Sequence, residues 1–164
     1  MKKPVLIGLI ITLLAAAAVF LYIKNQGKAM TDEDWRNFAV EDTAAITKVF
    51  LADKSGNRVT AVRKSPTEWV VNDKHTARRD VVRILLKTIK LVRTKSRVPK
   101  NSRENVFKSL SVSGIKVEIY TKDDEDPLKV YYVGSETPTQ DGTYMMQEGA
   151  LNHLLPRYRA LMGT

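Results

Sequence analysis

The tightest constraint on this chain is a two-residue beat. In "IKVEIY", Ile115, Val117 and Ile119 point one way while Lys116, Glu118 and Tyr120 point the other. Such alternation marks a strand with one face in a core and one in water. The beat resumes after an acidic turn with Leu128, Val130 and Tyr132, so the segment reads as a half-buried hairpin. A third strand, Thr143–Gln147, follows the loop "SETPTQDG". An earlier stretch rhymes with this one. Strands over Ile46–Ala52 and Arg58–Lys64 flank "DKSGN", where Gly56 can take a positive φ, and a short strand Glu68–Val71 ends at "NDK".

Between the two halves the period changes. Val81, Val82, Leu85, Leu86, Ile89 and Val92 recur at helical spacing. Advancing about 100° per residue, Arg79, Arg83, Lys87, Lys90 and Arg97 gather on a separate arc, giving a basic surface opposite a greasy one. Pro99 breaks this helix, and a shorter one is expected over about Ser102–Leu110 with Ser102 as its N-cap. Near the end of the chain Leu151, Leu154, Leu155, Tyr158 and Leu161 fit a helical period that Pro156 interrupts.

The N-terminal stretch reads as a membrane anchor. Val5–Ile23 carries no charge over nineteen residues, with Lys2 and Lys3 before it and Lys24 and Lys28 after it. A helix of that length spans about 28 Å, close to the hydrocarbon thickness of a bilayer. The alanines Ala15–Ala18 lie inside the run, which argues against a cleaved signal peptide. Cations on the two sides nearly balance, but a very short basic head favours staying in the cytoplasm. The expectation is a single-pass protein of the cytoplasmic (inner) membrane, held through Val5–Ile23, with its domain facing the periplasm.

The expected fold class is therefore α+β. An N-terminal transmembrane helix precedes two three-stranded antiparallel β units, with an amphipathic helical pair between them. The expected divisions are an anchor over residues 1–28, a polar tether over 29–40, the α+β domain over 41–149 and a C-terminal extension over 150–164. The 164 residues suffice for one such domain, and 43% hydrophobic with 27% charged residues suits a folded chain rather than a disordered one.

Residues 78–108 carry eleven Lys or Arg against Asp80 and Glu104, an excess equal to the net charge of the whole chain, +9. Such a run suits phosphate, but base readout wants aromatics or amides on the same face. The stretch offers Phe107 as its one aromatic, and Asn101 and Asn105 lie on the second helix. A solvated helix face is the first reading of the charge; an anionic membrane surface or an acidic partner comes next, and nucleic acid is disfavoured.

Chemistry is sparse. The absence of cysteine removes disulfides, thiolate metal sites and thiol nucleophiles. His75 and His153 lack a second ligand at metal-binding spacing, and no phosphate loop or nucleophile elbow occurs. "DDED" (Asp123–Asp126) lacks the alternating ligands of a calcium loop. No catalytic, cofactor-binding or metal-ligating residue is assigned, and no cofactor is expected. The best candidate for recognition is the loop between strands, with Glu136, Thr137, Pro138, Gln140 and Asp141.

"VEDTAAITKVFLADKSGN", the "WVVN" strand, "IKVEIY" and "GSETPTQDGTYM" together resemble the bacterial domain-of-unknown-function family 4340 over about Phe38–Glu148. The resemblance implies a membrane-anchored α+β domain without established activity, of a kind whose members accompany transport or gliding-motility machinery. The chain departs from it at Arg79, where members tend to have proline before the helix, and in ending early after "TYM", as a shortened member would. The function expected is a non-enzymatic envelope domain making protein–protein contact, as an accessory to a transport or motility assembly. The alternative is a binding module that lays its basic helix on anionic lipid or polymer.

Overall fold

The computed structural model describes residues 12–19, 36–122, 125–148 and 150. Contacts divide the chain into two units, Met1–Thr31 and Asp32–Thr164. In the first unit the described residues, 12–19, form an exposed helical stretch, α1.

The expected anchor is corrected. Among the described residues no helix is long and apolar enough to cross a membrane. The other positions of Val5–Ile23 lie outside the described residues. The expectations of a transmembrane signal anchor, an inner-membrane location and a periplasm-facing domain therefore find no support.

The second unit is built on strands β1 (Ile46–Ala52), β2 (Arg58–Ser65), β3 (Glu68–Val71), β4 (His75–Thr76), β5 (Ile115–Thr121), β6 (Lys129–Glu136) and β7 (Thr143–Gln147). They make one antiparallel sheet in the order β4-β3-β2-β1-β5-β6-β7. The two separate three-stranded units expected from the sequence are thus corrected to a single sheet. Its seam is the β1–β5 pair, running from Ile46 opposite Thr121 to Ala52 opposite Lys116, with an irregularity between Ile46 and Lys48. The physical reason is burial. Ile46, Val49 and Ile119 on these two strands are 0% exposed, which edge strands of separate hairpins could not achieve. Burying each such side chain contributes about 1.5–3 kcal/mol.

The extra strand, β4, comes from a tight turn. Asn72 and Asp73 both take positive φ, at 50° and 55°, and the Lys74 N–H reaches the Val71 carbonyl at 3.1 Å. With Val71 opposite His75, the chain reverses over Asn72, Asp73 and Lys74, and Asn and Asp tolerate the left-handed conformation this requires.

Helices α2 (Arg79–Leu91) and α3 (Arg103–Ser113) sit on opposite faces of the sheet, so they do not form the expected helical pair. On one face, Ile89 and its neighbours Val82, Leu85 and Leu86 pack with Val49, Trp69, Ile119 and Tyr131. On the other, Phe107 and Leu110 of α3 pack with Tyr132 and Met146. Tyr131 and Tyr132 are adjacent in β6 and so point to opposite faces. Ser102 does not cap α3 through its side chain: a 3-10 turn at Lys100–Ser102 leads into the helix, and the Ser102 N–H bonds the Pro99 carbonyl at 3.0 Å.

The segment before β1 belongs to this core. Phe38, Ala39 and Val40 are buried, the Phe38 ring meets Tyr131 edge-on at 5.7 Å, and the Val40 N–H bonds the Ile89 carbonyl at 3.2 Å. Residues 36–40, expected as polar tether, thus cover the inner face of β6 and the C-terminal end of α2.

Gly114, just past α3, has no room for a side chain. A Cβ there would lie 2.3 Å from the Leu110 carbonyl oxygen, which is backbone and part of the last helical turn. We expect Gly114→Ala to cost about 2 kcal/mol, within the usual range for overpacking. A urea denaturation midpoint lowered in this variant but unchanged in Val112→Ala, at a position 76% exposed, would bear this out.

Candidate functional site

Helix α2 divides its circumference by chemistry. Its apolar residues turn to the sheet, and Arg79, Arg83, Lys87 and Lys90 line the flank beside the β2–β3 turn. Between that flank and the turn runs an open groove of about 530 Å3. Its floor is Trp69, Val82 and Leu86, and its far wall is Thr43, Pro66 and Thr67. Among the described residues no carboxylate lines it. Among the described residues these four cations make no ion pair, and the helix's own acid, Asp80, is taken by Arg78 at 2.6 Å. The hydrogen bond from Arg78 holds the Asp80 carboxyl below its usual pKa.

The floor is fixed from beneath. Trp69, 3% exposed, has the Arg63 guanidinium 4.9 Å from its ring centre. The two terminal nitrogens of Arg63 donate to the carbonyls of Ala44 and Thr43, each at 2.8 Å. This fork ties the loop that carries Thr43 to strand β2 and brings a further positive charge against Trp69, where cation–π attraction operates.

Arg97, grouped with the other four cations by periodicity, lies in the segment after α2 and does not line the groove. The helix ends at Leu91, where Val92 turns to an extended ψ of 132°.

The loop proposed for recognition is closed on itself. The Asp141 carboxylate accepts from the hydroxyls of Thr137 at 2.9 Å and Thr139 at 2.7 Å, and forms an ion pair with Lys95. The Lys95 hydrogen bond first, and the two threonines next, hold the Asp141 carboxyl well below the usual carboxylate range. The Thr137 N–H bonds the Gly142 carbonyl and the Gln140 N–H bonds the Thr137 carbonyl, both at 2.8 Å, with Gln140 at φ 55°. Thr137 and Asp141 are therefore spent on the turn, while Glu136, Pro138 and Gln140 stay exposed. Strands β1 and β5 lie between this loop and the β2–β3 turn, so the two candidate surfaces do not meet.

A second charged cluster lies on the sheet face that carries α3. Lys116 bridges Glu118 at 2.9 Å and Glu148 at 3.2 Å, and the Tyr120 hydroxyl donates to Glu118 at 2.6 Å. The Lys48 ammonium sits 3.6 Å from the Tyr120 ring centre. Burial alone would lower the Lys116 pKa, but its two carboxylates raise it. Burial, and then Glu118, push the Tyr120 phenol up to about 12. Every charge in the cluster is thus answered by a neighbour.

Among the described residues no three His, Cys, Asp or Glu side chains converge as a metal site. His75 lies exposed in β4, while His153, Asp123 and Asp124 lie outside the described residues. Trp69, Arg63 and Thr43 were not singled out by the sequence. The one signal for them is the "EWVV" alternation, which places Trp69 on the core face beside Val71. Comparison of the chain with family models, with curated proteins and with solved structures finds no match.

The Glu118 cluster predicts a pH dependence. Burial opposes ionisation, but hydrogen bonds from Tyr120 and Lys116 leave the Glu118 carboxyl below its ordinary value of 4.5. The unfolded chain then binds the extra proton first as pH falls, so the stabilisation is complete above that value and lost on acidification below it. Glu118→Gln should cost about 1 kcal/mol at pH 7 and give a shallower loss of denaturation midpoint between about pH 5 and pH 3. Equal slopes for the two proteins would refute this assignment.

Proposed function

We propose that this chain is a non-enzymatic binding domain making protein–protein contact, with the α2 groove taking an acidic polypeptide segment of a partner. The observation that carries the reading is the convergence of Arg79, Arg83, Lys87 and Lys90 on one groove that, among the described residues, no carboxylate lines. Its floor supports a polypeptide over a simple polyanion. Trp69, Val82, Leu86 and Pro66 give apolar side chains somewhere to rest between the carboxylates. An anionic polymer or lipid headgroup would use the cations and leave that floor idle. An accessory role in a transport or motility assembly rests on the resemblance read from the sequence alone, since no family model matches the chain.

The test is fluorescence anisotropy with a labelled peptide alternating Glu with Leu and Pro. Poly-glutamate of equal length and heparin serve as competitors. Exposed ion pairs contribute about 0.2–1 kcal/mol each, and reversal adds repulsion. Arg83→Glu combined with Lys87→Glu should therefore weaken the alternating peptide about tenfold, while Lys64→Glu leaves it unchanged. Indifference to the double reversal, or preference for heparin over the peptide, would overturn the reading.

A further inference from the structure

Helix α2 carries a third surface that neither the core nor the groove uses. Val81, Ile84 and Leu91 are 54%, 62% and 54% exposed, unusual for three branched apolar residues on one helix of thirteen. At about 100° per residue they and Thr88 fall within an arc of about 80°, so they form one stripe rather than scattered exceptions. Thr88 does not interrupt it with an unmet polar group, because its hydroxyl donates to the Ile84 carbonyl at 2.9 Å. From Val81 to Leu91 the stripe runs about 15 Å along the helix.

The neighbours of the stripe decide what fits it. Asp80, paired with Arg78, and Lys87 border it on one side, about 20° and 40° from Leu91, with Arg83 next along the basic flank. On its other side the residues turn toward the sheet, where Leu85 and Val92 join the core. The stripe is thus apolar, with Lys87, Arg83 and the Arg78–Asp80 pair along one edge. A lipid interface favours cations on both edges and Trp or Phe within the apolar face, and this stripe offers neither. A partner helix with an apolar face and carboxylates along one flank matches it, in the manner of helices read through i, i+3 and i+7 anchors. Asp80 does not repel such a partner as a lone charge, since Arg78 neutralises it.

We propose that the outer stripe Val81–Ile84–Leu91 docks an acidic amphipathic helix of a protein partner, with Lys87 and Arg83 meeting its carboxylates. Its apolar residues lie outside the groove, whose basic wall supplies Lys87 and Arg83 to both surfaces, and it stands on a separate observation, the exposure of those three side chains.

The test uses the full chain and a synthetic helical peptide of Leu, Ala and Glu, with Leu at every third and fourth position and Glu along one flank. A composition-matched scramble, the extended Glu-rich peptide used for the groove, and anionic vesicles complete the set. The helical peptide should bind at least tenfold tighter than its scramble. Ile84→Gln should weaken it at least tenfold and leave the extended peptide within twofold, whereas Ile84→Leu should retain binding. An unchanged circular dichroism melt would show that the variant keeps its fold. Equal affinity for helix and scramble, insensitivity to Ile84→Gln, or preferential sedimentation with the vesicles would each overturn the proposal.

Discussion

Pairing of β1 with β5 turns two hairpins into one molecule. Each strand brings a row of apolar side chains to the same face, and only side by side do Ile46, Val49 and Ile119 escape water altogether. The seam also makes a sheet wide enough to be covered by different elements on its two faces. Helix α2 and residues 36–40 cover one face, and α3 covers β6 and β7 on the other. The segment joining the helices passes the β6–β7 loop, where Lys95 meets Asp141. That loop therefore fastens the crossover, and its ordered turn has a structural reason.

The placement of α2 follows from the same sheet. Its apolar arc is fixed on Val49, Ala61, Trp69 and Ile119, so its basic arc has one place to go, along the β2–β3 turn. Arg63 prepares that place. Its guanidinium holds the Thr43–Ala44 carbonyls and underlies Trp69, and its Nε is buried without a partner among the described residues. A buried donor left unmet costs free energy that the two carbonyl bonds and the ring contact must offset. The groove is thus a consequence of helix packing, and its charge a consequence of which side of the helix is left over.

Much of this was legible in the chain, for identifiable reasons. Strands β1, β2, β5 and β7 announce themselves because alternation survives wherever one face is buried. Their joining does not, since Val49 and Ile119 alternate identically whether their strands pair with each other or sit at separate edges. Strand β4 has two residues and no apolar one; the clue lay in Asn72 and Asp73, whose tolerance of positive φ permits the turn. Helical periodicity put Arg97 with Arg79, Arg83, Lys87 and Lys90, because angle alone does not say where a helix stops. Asp141 read as a free recognition group because Lys95 lies 46 positions away in sequence. The uncharged run Val5–Ile23 suggested a span on composition; its described part, residues 12–19, is helical and exposed, and among the described residues no helix is long and apolar enough to cross a membrane.

The proposed binding surface is the part of α2 that packing leaves exposed. Backbone amide shifts recorded by NMR during titration with the Glu-rich peptide test this most directly, because they report every surface at once. The account predicts the largest shifts in Arg79–Lys90, at Thr43 and Thr67, and at the Trp69 indole N–H, with residues 136–142 and α3 unmoved. Largest shifts at Glu136, Pro138 or Gln140, or shifts spread evenly over the sheet, would contradict it.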